Sequence, residues 1–555
     1  MLIMKMPDAF STRYQGLLAG TYDCVDRIVL NAYFPLAQSA GGFRCWWRTL
    51  CGDDDTLDDT HMMRFAGHFS RRVQAFAKKS GIPLIFCDRG ERKHEVAEAH
   101  VPCEPGFRGV FCILVGRAPA PVRQVKRFGK GGIDIKTRKP YPWVNHYSFH
   151  IMDAQWGHVI IKLCPHPPFN AQIILNGHEY VARQAQRKGI EFTKEGNCFT
   201  EVSDAAGLAK VADTMSTSSA VGRLVQVCER WIYSACLCFA LTREEQERTR
   251  FRYEYSVYQG EYSRNLLFTR GRQMEQVFDS VIDRTRAPLN IRTVKTIFGY
   301  KHRPFNQRGK KSKPPKIEVV VERPAWNLTV FKIHFGRLTV KIYSKGEHVL
   351  RIEAIAHNTE DLRCGRRIDR FPEMMLALKE MVEHFLEVLH SMHAAFVDSD
   401  TWENLSRPSM MGHTRMAGLD LTDPRTRAVI KAVVVLAPNP QGFCASDVAA
   451  QVNTIRPTHT CPYQPRHAAY DLKKLRAKGF VCKIEGTRRY ELLPEGLSTL
   501  TALDLLYNKV ISPLLAAAQI CTTAPLPQPS TQIDAHYTNI LNEMHGLFRT
   551  LGIAA

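Results

Sequence analysis

The chain has no paired CxxC spacing. Its 16 cysteines are scattered through 555 residues, many of them inside apolar runs such as "WIYSACLCFAL" at 231–241. Without CxxC…CxxC or CxxC…HxxxH, a zinc finger or ribbon is excluded. Cys236 and Cys238 form a lone C-x-C on a predicted helix, where positions i and i+2 diverge, so the thiols read as reduced core residues of a cytoplasmic protein. Long apolar runs are missing too. The longest, 231–241 and 432–438, fall well short of the roughly 20 residues that a membrane-spanning helix needs. The start, "MLIMKMPDAFSTRYQG", lacks the cationic end, apolar run and cleavage site of a secretory leader, so a soluble protein without a membrane partner is expected. "RFGKGG" at 127–132 matches neither the phosphate loop nor the dinucleotide fingerprint. Acid is in short supply: 54 Asp and Glu face 75 Lys and Arg, a net charge of +21. A clustered excess of this kind points to a polyanion partner, because each cation set against a phosphate releases a condensed counterion. A soluble basic enzyme is the plainer alternative.

What is present is ordinary globular sequence, 45% hydrophobic, long enough for two to four domains. Residues 1–300 predict a mixed α/β region. The run "CVDRIVLNAYF" is a strand ended by Pro35. Residues 60–80 form a helix with Met62, Phe65, Phe69, Val73 and Phe76 on one face. Strands at 81–88 and 109–118 flank a helix at 91–101, the alternation of an α/β unit. The stretch 123–142 carries seven Lys/Arg against one acid and reads as a basic loop, a break between two subdomains. Strands at 145–153, 158–164 and 171–175 follow, then a helix at 178–189 and further helices over 204–241 and 242–285. On the last of these, "YQGEYSRNLLF" would bring Glu261, Arg264 and Asn265 to one face. The second basic stretch, 301–316, is a linker without acids. Residues 317–406 predict an antiparallel meander of four strands over 317–358 with a covering helix at 372–393. Residues 407–424 read as a linker. The fold class is therefore multidomain α+β, closed by a winged helix-turn-helix over 423–500 and a helical tail over 501–555. An amphipathic stripe at 534–552 would pack back or pair with a second copy as a homodimer.

The winged helix rests on three helices, 424–437, 445–452 and 463–479, followed by a hairpin with a basic tip. Asp423 caps the first helix, Pro424 opens it, and Gly479 closes the third. In that fold the third helix enters the major groove and the wing follows phosphates. Arg466, His467, Lys473, Lys474, Arg476, Arg488 and Arg489 are the candidate contacts. A winged helix that binds protein instead has the same spacing.

Elsewhere polar residues interrupt apolar elements. Asp26 sits inside a strand, Asp153 follows one, and Glu179 opens a helix after Asn176. Carboxylates from separate strand ends can jointly hold Mg²⁺ for a nuclease or strand-transfer reaction, and Asp26, Asp153 and Glu179 are the triple that would do so. Each taken alone also reads as a paired core acid or a helix cap. His146 and His150 share a strand face without a third ligand. In the meander, Lys341, Tyr343 and Lys345 share one face and Arg351 and Glu353 one face of the next strand. They form either a cross-strand charge ladder or a platform for phosphates.

Taken together, "YDCVDRIVLNAYFP", "ILNGHEYVARQ", "EGNCF", "YQGEYSRNLLF" and "KIYSKGEHVLRIEA", with the winged helix after them, make the chain similar to a widespread family of uncharacterised bacterial proteins ending in a winged helix. Locally, "KIYSKGEHVLRIEA" also resembles the Y-x-K…L-R-x-E hairpin of rolling-circle replication initiators of phages and plasmids. That resemblance implies a tyrosine that nicks DNA, here Tyr343, and a metal held by a His-hydrophobic-His strand, for which this chain has no clear match. The expectation is a DNA-binding protein of a mobile or replicating element. A metal-dependent nuclease or nickase is one alternative, and a transcription regulator or RNA-binding protein another.

Overall fold

Alternation of apolar and polar residues builds the largest feature of the computed structural model, a sheet of eleven strands. The structure describes residues 8–104, 106–128, 132–286, 317–325, 328–335, 337–394, 399–439, 441–456 and 462–512, with scattered positions between 532 and 543. The basic linker predicted at 301–316 and most of the tail helix predicted at 534–552 lie outside them.

The short helix α1 (Ala9–Arg13) precedes the long strand β1 (Leu18–Tyr33). Helices α2 (Ala40–Cys51) and α3 (Asp59–Ser80) follow, then β2 (Leu84–Phe86), α4 (Lys93–Glu98) and β3 (Gly109–Pro119). β4 (Arg123–Phe128) and β5 (Gly132–Thr137) pair with each other apart from the main sheet. The basic stretch at 123–142 is thus a hairpin and not a loop: Val125 and Ile135 turn inward while Lys126, Arg127 and Lys136 stay in water. β6 (Trp143–Asp153), β7 (Gly157–Leu163) and β8 (Ala171–Asn176) come next, and α5 (Gly177–Arg187) follows directly. The small hairpin β9 (Phe192–Lys194) and β10 (Phe199–Val202) leads to α6 (Ala205–Asp213), α7 (Ser219–Trp231) and α8 (Arg243–Arg248).

Residues 254–268, expected to be helical, form the strand β11 (Glu254–Phe268). Tyr255, Val257 and Tyr262 suit a pleated buried surface better than a helix, and Glu261 and Arg264 consequently point to opposite faces. After α9 (Gly271–Arg286) come β12 (Ile317–Ala325), β13 (Leu328–Phe335), β14 (Leu338–Lys345) and β15 (Val349–Ala356), the four strands expected of the meander.

The strand order is β12-β13-β14-β15-β11-β1-β8-β7-β6-β3-β2. The meander is therefore not a sheet of its own. β15 pairs with β11, placing Val349–Ala356 against Gly260–Leu267, so a domain boundary at 317 would cut through one continuous sheet. The front half is not a parallel α/β unit either. Among the described residues only β2 and β3 run parallel, with α4 on the crossover between them. The strands from β6 to β8 are joined by turns too short for a crossover and pair antiparallel.

Helix α10 (Phe371–Ala394) covers one sheet face with Met375, Leu378, Val382 and Leu386 fully buried. It lies so close to β11 that a Cβ on Gly260 would stand 2.9 Å from Met375 Cε. α11 (Ser399–Ser406) leads to a hairpin, β16 (Ser409–Met411) with β17 (Thr414–Met416), where a linker was expected. Then come α12 (Pro424–Leu436), α13 (Ala445–Ile455), α14 (Pro465–Ala477), the hairpin β18 (Val481–Lys483) with β19 (Tyr490–Leu492), and α15 (Pro494–Leu506). Asp423 caps α12 by accepting from the amides of Arg425 and Thr426. α15 packs on both α12 and α10 and ties this region to the sheet. Among the described residues, no helix is long and apolar enough to cross a membrane.

Candidate functional site

α14 buries Ala468, Leu472 and Leu475 and presents Arg466, Tyr470 and Lys473 on the opposite side. These three recur at i, i+4 and i+7, a single helical stripe. The Lys474 ammonium lies 5.2 Å from the Tyr470 ring centre, a cation–π contact on the same surface. The helix is held in place from behind. Asp471 accepts from Arg425 Nε at 2.9 Å and from the Tyr463 hydroxyl at 2.6 Å, joining α14 to α12. Among the described residues, Arg466, Lys473, Lys474 and Arg488 have no ion-pair partner.

Not every residue predicted here is free. Arg489 donates to the carbonyls of Gln441 and Gly442, each at 2.6 Å, and so fastens the hairpin to the segment before α13. His467 Nδ1 accepts from the Gln464 amide at 3.2 Å and caps α14. Arg476 is half-buried on the flank. Arg488 and Lys483 are exposed at the hairpin. Tyr470, 47% exposed, was missed by the sequence reading, although its position four residues after Arg466 marked it.

The cations of β14 and β15 are in a different state. Lys341 stands opposite Glu353, and Tyr343 opposite Arg351. Lys341 Nζ is 2.5 Å from Glu353 Oε2, and the Tyr343 hydroxyl donates to the same oxygen at 2.9 Å. Lys345 donates to Asn197 Oδ1 at 2.5 Å. Arg351 is wholly buried: it pairs with Asp26 and donates to the Asn197 carbonyl at 2.7 Å. Of the two readings of this hairpin, the arrangement is the charge ladder, and Lys341, Lys345 and Arg351 are not a phosphate platform. Burial pushes the Glu353 carboxyl up, but Lys341 and Arg351 beside it outweigh that and hold it at about 2. Burial and then the Glu353 charge raise Glu261 to about 7. The Tyr343 phenol is driven well above its ordinary range by burial first and by Glu353 second. A phenol held protonated in this way is poorly suited to attack a phosphodiester.

The three carboxylates do not converge. Asp26 pairs with His178 Nδ1 and with Arg351 inside the sheet. Asp153 accepts from the amides of Gln155 and Trp156 at 2.7 and 3.0 Å, from the Trp231 indole at 2.8 Å and from Arg230 at 2.6 Å. Glu179 pairs with Lys194. Each has its own partners, and among the described residues no group of three or more His, Cys, Asp or Glu is placed to hold a metal ion. Asp26, Asp153 and Glu179 thus make no Mg²⁺ site. His150 meets His158 at 2.9 Å, and not His146.

No protein-family model matches the chain, and neither the curated proteins nor the solved structures yield a similar one.

Proposed function

We propose that this protein binds nucleic acid, DNA before RNA, through its C-terminal region acting as a winged helix. α14 lies in the major groove, and the β18–β19 hairpin follows the phosphates. One observation carries the reading: the stripe Arg466–Tyr470–Lys473, with Lys474 on the tyrosine ring, faces water with its charges unpaired by any acid among the described residues. Arg351 and Arg264, by contrast, are matched by acids within the fold. Three cations left unopposed along one helix suit a partner that brings the negative charge. Its setting in a mobile or replicating element is supported by the resemblance of residues 341–354 alone.

The test is fluorescence anisotropy of labelled duplex DNA over a salt series, with single strands and RNA of the same sequence beside it. The logarithm of the affinity should fall steeply with the logarithm of salt, and Lys473→Ala should reduce that slope by about 1. A flat salt response, or a triple variant at 466, 473 and 488 that binds as well as the native chain, overturns the proposal.

A further inference from the structure

The sheet face opposite α10 carries a row of polar side chains. Ser148, Lys162, Gln172, Asn31 and Ser256 stand abreast on β6, β7, β8, β1 and β11, each opposite the next in the strand register. Their chain neighbours Phe149, Ile161, Ile173 and Leu30 are fully buried on the other side of the sheet. A row of this kind is not needed to hold strands together, because the backbone ladder already does so. Four of its members, Lys162, Gln172, Asn31 and Ser256, line a cleft of about 640 Å³, within the roughly 300–1,000 Å³ typical of small-ligand sites.

The charge of this cleft is one-sided. Lys162, Arg366 and Arg367 line it, and among the described residues no Asp or Glu does. Lys162 is half-buried without a hydrogen-bond or ion-pair partner among the described residues. Burial, and then the like charge of Lys93, pull its ammonium below the ordinary range. Arg366 and Arg367 touch only rim acids, Glu360 at 3.9 Å and Asp369 at 3.2 Å, exposed pairs worth about 0–1 kcal/mol. Donors are ready as well. His166 also lines the cleft, is 6% exposed, and has no partner for its Nδ1 among the described residues. Gln172 Nε2 donates to Asn31 Oδ1 at 3.1 Å, which orients the two amides along the row.

We propose that this cleft is a binding site for a phosphomonoester, with Lys162 and the two arginines supplying counter-charge and His166, Asn31 and Ser256 supplying hydrogen bonds. Three cations without a lining acid match a dianion better than the single charge of a carboxylate. The volume accommodates the nucleoside as well as the phosphate. The site is separate from α14 and does not rest on the nucleic-acid reading. The phosphate arrives either on a free mononucleotide or on the 5′ end of a nucleic acid.

Calorimetric titration of the full chain separates these sources. The probes are inorganic phosphate, AMP, adenosine, and one single-stranded oligonucleotide with and without a 5′ phosphate. AMP should bind and adenosine should not. A preference for the 5′-phosphorylated strand that disappears in Lys162→Met assigns the phosphate to a nucleic-acid end, whereas binding of AMP without that preference assigns it to a free nucleotide. Lys162→Met should weaken the phosphate-bearing ligand tenfold or more while raising thermal stability, since it removes an unpaired, half-buried charge. Gln172→Glu keeps the side-chain size, adds a carboxylate and should abolish binding. Duplex binding by α14 should survive both changes, which keeps failure here distinct from failure of the reading above. No heat with either AMP or the phosphorylated strand, or equal affinities for the native chain and Lys162→Met, overturns the proposal.

Discussion

The hairpin β14–β15 and the helix α14 carry the same kinds of residue, lysines and arginines beside a tyrosine, yet leave them in opposite states. In the hairpin, Lys341 and Arg351 are each paired with an acid inside the sheet, and Lys345 is held by the side-chain carbonyl of Asn197. On α14, Arg466 and Lys473 face solvent and Lys474 rests on an exposed ring. Residue type alone does not make a binding surface. What decides is whether the fold has already supplied the counter-charge.

The comparison can be broken most forcefully at Arg351. Its replacement by Met takes the guanidinium from buried Asp26, leaving it His178 alone, and should cost about 3–5 kcal/mol in urea unfolding, with much of that recovered in Asp26→Asn/Arg351→Met. An effect below about 1 kcal/mol would mean that the network is not the closed one described. On α14 the loss should fall on binding instead. Arg466→Ala with Lys473→Ala should weaken duplex DNA by about 1–3 kcal/mol, read by anisotropy, and leave the melting temperature where it was.

The acids beside the hairpin sharpen the contrast through pH. Glu353 is held down at about 2, so its contribution is complete above the unfolded carboxyl range, near ~4.3, and is lost as pH falls through about 2. Glu261 runs the other way. With its carboxyl raised to about 7, ionisation costs stability as pH rises from ~4.3 through about 7. In urea unfolding across pH, Glu261→Gln should match the native chain near pH 4, exceed it increasingly up to pH 7, and level off beyond. The smallest effect separates adjacent arginines at one hairpin. Arg489→Ala loses two bonds to carbonyls and should cost about 1–3 kcal/mol, whereas Arg488→Ala should stay within about 0.5 kcal/mol and weaken only DNA binding.

Local patterns were legible wherever one face of an element is apolar. The period of Met62, Phe69 and Val73 marks α3, and the four strands from 317 to 356 follow from alternation and short turns. β11 was misread because Glu261, Arg264 and Asn265 fall at helical spacing, while the evidence for a strand lay in the neighbours that it would meet. The same blindness to distance hid the site. Asp26 and Arg351 are 325 positions apart, and no local rule joins them. The role of Asp153 was nearer to hand: an Asp whose carboxylate accepts from amides two and three residues on is a turn-former, and "DAQW" is long enough to allow it. The polar row through Lys162 was invisible for another reason. Its five members come from five separate strands, each contributing one unremarkable polar residue.

The continuity of the sheet across β11 and β15 bears on how the molecule comes apart. Cleavage anywhere in 287–316 would leave the earlier fragment with the unpaired edge of β11 and with Asp26 lacking its guanidinium, while the later fragment would keep four strands without the neighbour that shields them. Neither piece would be a domain. They would form a complementation pair, each half holding the strand edge and the charge that the other lacks.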